Sequence, residues 1–180
     1  MPQLQSVEER FGVRGFVIAG GALYRGIGKM VGLEPILVEG ATGGLDSKLG
    51  NKIMAALNAL ERQDFVFIHF KGGDTAGHDK DAKAKMAFIE QIDEAMGLLC
   101  KKLDWHETHL AFTGDHATPI DYGDHTAEPV PLLLAGPAVM TDRVKKFDEQ
   151  SAQQGGLGRF SGNVLPMLAS LSNWLPKFGS

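Results

Sequence analysis

Two polar stretches of this chain carry the side-chain types that hold metal ions. The first is GDTAGHDKD, Gly73–Asp81, straight after the apolar run DFVFIHF. It sets Asp74 and His78 four residues apart, and on one helical turn, or in a glycine-rich loop, such a pair can converge on one ion. The second is TGDHATPIDYGDH, Thr113–His125, with Asp115 beside His116 and with His125 nine residues beyond His116. Adjacent side chains diverge, so Asp115 and His116 more readily reach two ions, or two sides of one site. Two carboxylates and three imidazoles form a mixed oxygen and nitrogen donor set, which suits Zn²⁺ or Mn²⁺ better than Ca²⁺ or Mg²⁺. Taken singly, each pattern is ordinary for a turn, because Asp and His are common loop residues. The argument rests on their joint placement after two strands. Of the other histidines, His69 is expected to point from a strand into packing, and His106 and His109 to be solvated.

The elements that must position these residues follow from apolar periodicity. RGFVIAG (Arg14–Gly20) reads as a buried strand, ALYRGIGKMVG (Ala22–Gly32) as a short helix, and PILVEG (Pro35–Gly40) as a second strand. Asp46 is expected to cap a helix running to Arg62, with Leu49, Ile53, Leu57 and Leu60 on its apolar side. DFVFIHF (Asp64–Phe70) reads as the clearest buried strand. The GDTAGHDKD loop follows, and then a long helix over Asp81–Leu103 with a stripe of Met86, Ile89, Ile92, Met96, Leu99 and Leu103. THLAFTG (Thr108–Gly114) and VPLLLAG (Val130–Gly136) are further strands, and Ser161–Trp174 a closing helix. Alternation of strands and helices predicts an α/β fold with a largely parallel sheet, in which sites gather at the carboxyl ends of strands. Both polar stretches stand at such ends.

Composition bounds the function. The 180 residues, 43% hydrophobic and 22% charged, suit one compact domain with a real core. The 23 glycines exceed the usual share and imply many tight loops. A net charge of −4 without a basic block argues against nucleic acid and anionic membrane as partners. Cys100 is the single cysteine, which excludes an intrachain disulfide and fits a reducing, cytoplasmic setting. MPQLQSVEERFG has no signal-peptide pattern, and no apolar run approaches the ~18 residues that span a bilayer.

Weaker signals read as structure. RGIGK (Arg25–Lys29) lacks the phosphate-loop and dinucleotide patterns and is better taken as a packed helix whose glycines allow close approach. Arg14, Arg25, Lys29 and Lys71 read as surface charges, and Cys100 as core.

FVFIHFKGGDTAGHDKD…IEQID followed by TGDHATP…DHTAEPVPLLLAG resembles the metalloenzyme core of the alkaline phosphatase superfamily. Within it the likeness is to the cofactor-independent phosphoglycerate mutases of the archaeal type. ERFGVRGFVIAGGALYRGIGKMVGLEPILVEGATGGLDSKLGNK and the final KFGS are similar to the same family. The resemblance implies an αβα sandwich with an alkaline-phosphatase-like core, incomplete here, so that residues 1–180 form a single C-terminal metalloenzyme domain fragment. It implies two divalent ions, Mn or Zn, with Asp74, His78 and His125 on one and Asp115 and His116 on the other. Family members use a serine nucleophile in metal-dependent phosphoryl transfer, the glycolytic interconversion of 3-phosphoglycerate and 2-phosphoglycerate. Their substrate is thus a phosphorylated small molecule.

The chain departs from the family pattern. The family's nucleophilic serine and a further metal-binding aspartate lie nearer the N-terminus and have no counterpart here, and neither Ser6 nor Ser47 stands in a similar motif. The substrate-capping domain is also missing. Thr75 replaces a usual Glu and Lys80 a frequent Gly, which removes an acid from the site's border and adds a cation there. The expectation is a chain inactive alone, which self-associates or pairs with a missing N-terminal half. The alternatives are a phosphatase or other phosphomutase of the same superfamily, and a non-catalytic metal-binding or interaction module.

Overall fold

The computed structural model describes residues 4–137 and 139–175. The opening MPQ and the closing KFGS, to which part of the resemblance was assigned, lie outside them. Regular structure opens with α1, Val7–Phe11, where the Ser6 hydroxyl accepts from the Glu9 amide and the Glu9 carboxylate accepts from the Ser6 amide. This reciprocal cap satisfies two amide donors that a helix start leaves open. Then follow β1 (Gly15–Ile18), α2 (Ala22–Met30), β2 (Glu34–Pro35), α3 (Leu49–Leu60), β3 (Phe65–Ile68), α4 (Gly72–His78) and α5 (Ala82–Lys102). Beyond them lie β4 (Leu110–Thr113), β5 (Leu132–Ala135), α6 (Glu149–Ala152) and α7 (Val164–Leu171).

Two compact units are present. One takes the chain through Leu103 together with Thr118–Asp124, and the other takes Asp104–Ala117 and the chain from His125 onward. The first holds a parallel sheet in the order β2-β1-β3, with Phe16 opposite Val66 and Ile18 opposite Ile68. β1 lies between two partners and is buried along its whole length. Val17 and Ile18 meet a core that α3 completes with Ile53, Ala56 and Ala59. Gly28 of α2 lies against Val17, where a Cβ would stand 2.5 Å from Cγ1, as the packed-helix reading of RGIGK expects. The second unit pairs β4 with β5 antiparallel, Ala111 opposite Leu134, and packs α7 beside β4. The link between these two strands contains no helix, and without a crossover element neighbouring strands pair antiparallel.

Several expectations are corrected. β3 is half-exposed, with Phe67 46% exposed, so the most deeply buried strand is β1. Of PILVEG only Pro35 is in a strand, the two-residue β2 that begins at Glu34, and Leu37 is 80% exposed. Asp46 does not cap α3, because its carboxylate accepts the Thr42 hydroxyl at 2.6 Å and Lys48 takes the cap position. α5 keeps its expected bounds, with Asp81 accepting from the Ala84 amide. Its buried face, however, is Phe88, Ala95 and Leu99, while Met86, Ile89 and Cys100 are exposed. The GDTAGHDKD stretch is largely the helix α4 and not a loop.

Candidate metal centre

In the first unit, β1 and β3 run parallel, so their carboxyl ends share one side of the sheet. The ladder extends one step past β3, where the His69 amide donates to the Ile18 carbonyl at 2.9 Å. His69 then stacks on Tyr24, with ring centroids 3.9 Å apart, so it is in packing as expected. Two cations brace this side. Arg25 donates to the Ala19 and Gly20 carbonyls at 3.0 and 2.6 Å. Lys52, 1% exposed on the apolar side of α3, donates to the His69 carbonyl at 3.0 Å and reaches that of Thr42 at 3.5 Å. Burial lowers its ammonium pKa to about 8. Arg25 and Lys71 are therefore engaged groups, not free surface charges.

α4 starts three residues after His69 and ends in a tight reversal. The Asp81 amide donates to the Ala76 carbonyl and that of Lys80 to Gly77. Lys80 takes the left-handed conformation at φ 55°. This pair of bonds is the glycine-type helix stop, and Lys80 holds the residue position that favours glycine. The helix puts Asp74 and His78 on one face, as i and i+4 require, with His78 Nε2 3.3 Å from Asp74 Oδ1. Lys71 Nζ bonds Asp74 Oδ2, and the Thr118 hydroxyl donates to Oδ1 at 2.9 Å. Burial works to raise the Asp74 pKa, but the hydrogen bonds from Lys71 and Thr118 and the charges of Lys71 and His78 outweigh it and bring it to about 2. The carboxylate is therefore ionised at neutral pH. The other ring nitrogen of His78, Nδ1, faces the Gly123 carbonyl at 3.1 Å. A carbonyl accepts only, so this contact suits a proton on Nδ1, while Nε2 faces the Asp74 carboxylate.

In the second unit, Asp115 and His116 do not diverge. His116 Nε2 lies 3.5 Å from Asp115 Oδ2, and the His116 amide donates to Asp115 Oδ1 at 3.1 Å. The Thr126 amide donates to the Ala117 carbonyl at 3.1 Å and closes the polar stretch at its base. The His116 and His125 rings lie with centroids 3.7 Å apart and planes tilted by 32°. His109, expected in solvent, instead meets the Ser172 hydroxyl at 3.3 Å, whereas His106 is exposed.

Both donor groups fit a divalent ion by chemistry, with carboxylate oxygens beside ring nitrogens. Sequence reasoning missed Lys52, Thr118 and Lys85, which support the first group. Lys52 was findable, since it shares a helical face with Leu49, Ile53 and Ala56, where a lysine is out of place. Thr118 and Lys85 carry no sequence signal. Ser6 is occupied as a cap, and Ser47 is 5% exposed.

Known proteins bear on this arrangement. The 2,3-bisphosphoglycerate-independent phosphoglycerate mutase of Methanococcus maripaludis is 41% identical over the whole of this chain, which spans 45% of that protein. Mutase 1 of Archaeoglobus fulgidus is 44% identical and is spanned to 44%. The chain thus covers less than half the length of these curated relatives. A solved protein of Pyrococcus horikoshii superposes with a TM-score of 0.94 at 39% identity, over all of this chain and 54% of its own. The cofactor-independent phosphoglycerate mutase of Thermoplasma acidophilum superposes at 0.71 over 96% of this chain and 40% of its own. At 24% identity it speaks for the fold, which is the expected alkaline-phosphatase-like α/β fold. The sequence pattern of the metalloenzyme superfamily matches residues 1–170, and the chain belongs to that superfamily.

Proposed function

We propose that this chain supplies the metal-holding part of a phosphoglycerate mutase, which interconverts 2-phosphoglycerate and 3-phosphoglycerate by phosphoryl transfer. The observation that carries the reading is the face of α4. An ionised carboxylate and an imidazole held on its far nitrogen by a backbone carbonyl stand 3.3 Å apart at the carboxyl end of a parallel strand. Asp74, His78 and His125 form one ligand set in this reading, and Asp115 and His116 belong to the other. Gly123 touches the His78 ring, and His125 follows two residues later, a reach of at most about 7 Å along the chain. Divalent ions, Mn or Zn by the donor types, would neutralise phosphoryl oxygens and steady both the attacking and the leaving oxygen.

Residues 1–180 act together as this metalloenzyme portion in a reducing, cytoplasmic setting. Among the described residues, no helix is long and apolar enough to cross a membrane. We expect no turnover of phosphoglycerate from the chain alone, since the nucleophilic serine of the family has no counterpart in its matching motifs. Turnover needs an N-terminal half, or another copy, against the apolar side chains of Leu23, Ile27 and Met30 that α2 leaves exposed. The test is elemental analysis of the purified chain after Mn²⁺ or Zn²⁺ loading, beside Asp74→Ala and His125→Ala, with a mutase assay on the same samples. About one ion per chain or more, lost in both variants and without turnover, is expected. No bound metal at saturation defeats the metal assignment, and turnover by the pure chain defeats its dependence on another segment.

A further inference from the structure

The stretch Thr118–Asp124 contributes contacts that the metal ligands alone do not explain. Thr118 is 5% exposed, and its hydroxyl donates to Asp74 Oδ1 at 2.9 Å. Its carbonyl accepts from Lys85 Nζ at 2.6 Å, across from the first turns of α5. The same carbonyl lies so close to Gly77 that a Cβ there would stand 2.6 Å from it. At the far end of the stretch, the Gly123 carbonyl faces His78 Nδ1. Thus a seven-residue strap touches both ligands of α4, Asp74 on Oδ1 and His78 on Nδ1.

A buried hydroxyl needs an acceptor, and a backbone carbonyl would serve. Here it is a carboxylate already held on its other oxygen by Lys71. With both oxygens engaged, Asp74 is fixed in one rotamer before any ion arrives. Fixing ligands in advance removes part of the ordering cost of binding. Lys85 acts one step further out, by fixing the backbone from which the hydroxyl is presented.

We propose that Thr118 and Lys85 are positioning residues of the metal centre, and that the strap Thr118–Asp124 sets the orientation of Asp74 and His78. The inference rests on the metal assignment above. It is tested on the full 180-residue chain by Mn²⁺ calorimetry with Thr118→Val, Thr118→Ser and Lys85→Met. Loss of the Thr118 hydroxyl at constant shape weakens Mn²⁺ binding about 10–100-fold, the usual effect of removing a ligand's supporting partner. Thr118→Ser restores binding to within about threefold of the parent, and Lys85→Met weakens it about tenfold. Unchanged Mn²⁺ affinity in Thr118→Val, with only a lower melting temperature, overturns the proposal; should that variant not fold, Lys85→Met carries the same comparison. If the parent chain takes up no Mn²⁺, the metal assignment fails, and the ¹⁵N shifts of the His78 ring in the metal-free chain decide the strap's role. A protonated Nδ1 in the parent that becomes tautomer-averaged in Thr118→Val or Lys85→Met supports it, and identical shifts refute it.

Discussion

Gly77→Ala separates the two roles a glycine can have in α4. In a helix interior, replacing Gly by Ala gains about 1 kcal/mol from backbone entropy. Against this, a Cβ at residue 77 would lie 2.6 Å from the Thr118 carbonyl oxygen and 2.8 Å from its Cγ2. The oxygen belongs to the backbone and is held by Lys85, so it cannot turn aside as the tip of a long side chain would. Ordinary contact begins near 3.4 Å, so the strap must withdraw by roughly 0.8 Å. Overpacking of this kind costs about 1–3 kcal/mol, which more than offsets the helix gain. The net expectation is a loss of about 0–2 kcal/mol, a fall in melting temperature of up to about 6 °C for a chain of this size.

The larger effect is on the site. A withdrawal of that size stretches the 2.9 Å bond from Thr118 to Asp74 beyond hydrogen-bond range, and Mn²⁺ affinity falls about tenfold. Gly97→Ala is the internal control. It lies in α5 with nothing within 4 Å of an added Cβ, so only the helix gain remains, worth about 1 kcal/mol and a rise of about 2–4 °C. Thermal melts by circular dichroism and Mn²⁺ calorimetry on both variants provide the comparison. Equal stabilisation by the two substitutions, with Mn²⁺ binding intact, would refute the reasoning.

Other perturbations test separate parts of the structure. Asp74, held at about 2, contributes stability above its ordinary value near 3.8 that is lost as pH falls from about 4 toward 2. The amount is at most about 2 kcal/mol, reduced by solvent around the 34% exposed Lys71, and Asp74→Asn should flatten acid unfolding in that window. Lys52 gives a slope of the same sign in a different window: its folded pKa of about 8 lies below 10.5, so the unfolded chain binds more protons between them and stability rises with pH over that range. Urea midpoints should climb from pH 8 to 10 in the parent and less in Lys52→Met; equal slopes would contradict the assignment. Lys80→Gly relieves a left-handed non-glycine residue, worth about 1 kcal/mol, and should raise the melting temperature by about 2–4 °C. Mn²⁺ at a hundredfold its dissociation constant should stabilise the chain by about 2.7 kcal/mol, seen as a shift of several degrees that Asp74→Ala abolishes.

Legibility in the sequence followed the range of the forces involved. β1, β3, β4 and β5 were marked by short apolar runs with polar or glycine boundaries, and α5 by a cap and a long periodic pattern. Which side of α5 is buried was not marked, because two apolar stripes compete on it. Phe88 wins one turn because the bare backbone of Gly72 leaves room for its ring, 2.5 Å from where a Cβ would be. Ala95 sits among the buried positions where α5 packs on α3, and Met86 and Ile89 are left outside. The glycines of GDTAGHDKD suggested a loop for the same reason. Gly77 serves close approach, not flexibility, and that is a property of its neighbours.

The candidate site divides along the same line. Asp74 and His78 could be paired from spacing alone, since a helix guarantees that i and i+4 meet. Asp115 and His116 could be named but not arranged, because adjacent side chains can turn toward each other in an irregular segment, as these do at 3.5 Å. The groups that make Asp74 and His78 usable come from far along the chain: Thr118 is 44 residues from Asp74, and Gly123 is 45 from His78. Nothing local distinguishes Thr118 from any threonine before a proline. A ligand pair is a short-range pattern, as is the Lys71 contact that helps to ionise Asp74, while the contacts from Thr118 and Gly123 that orient the pair are long-range. For this reason substitutions at Gly77, Lys85 and Thr118, none of them a ligand, are the sharper probes of whether the α4 face was built for an ion.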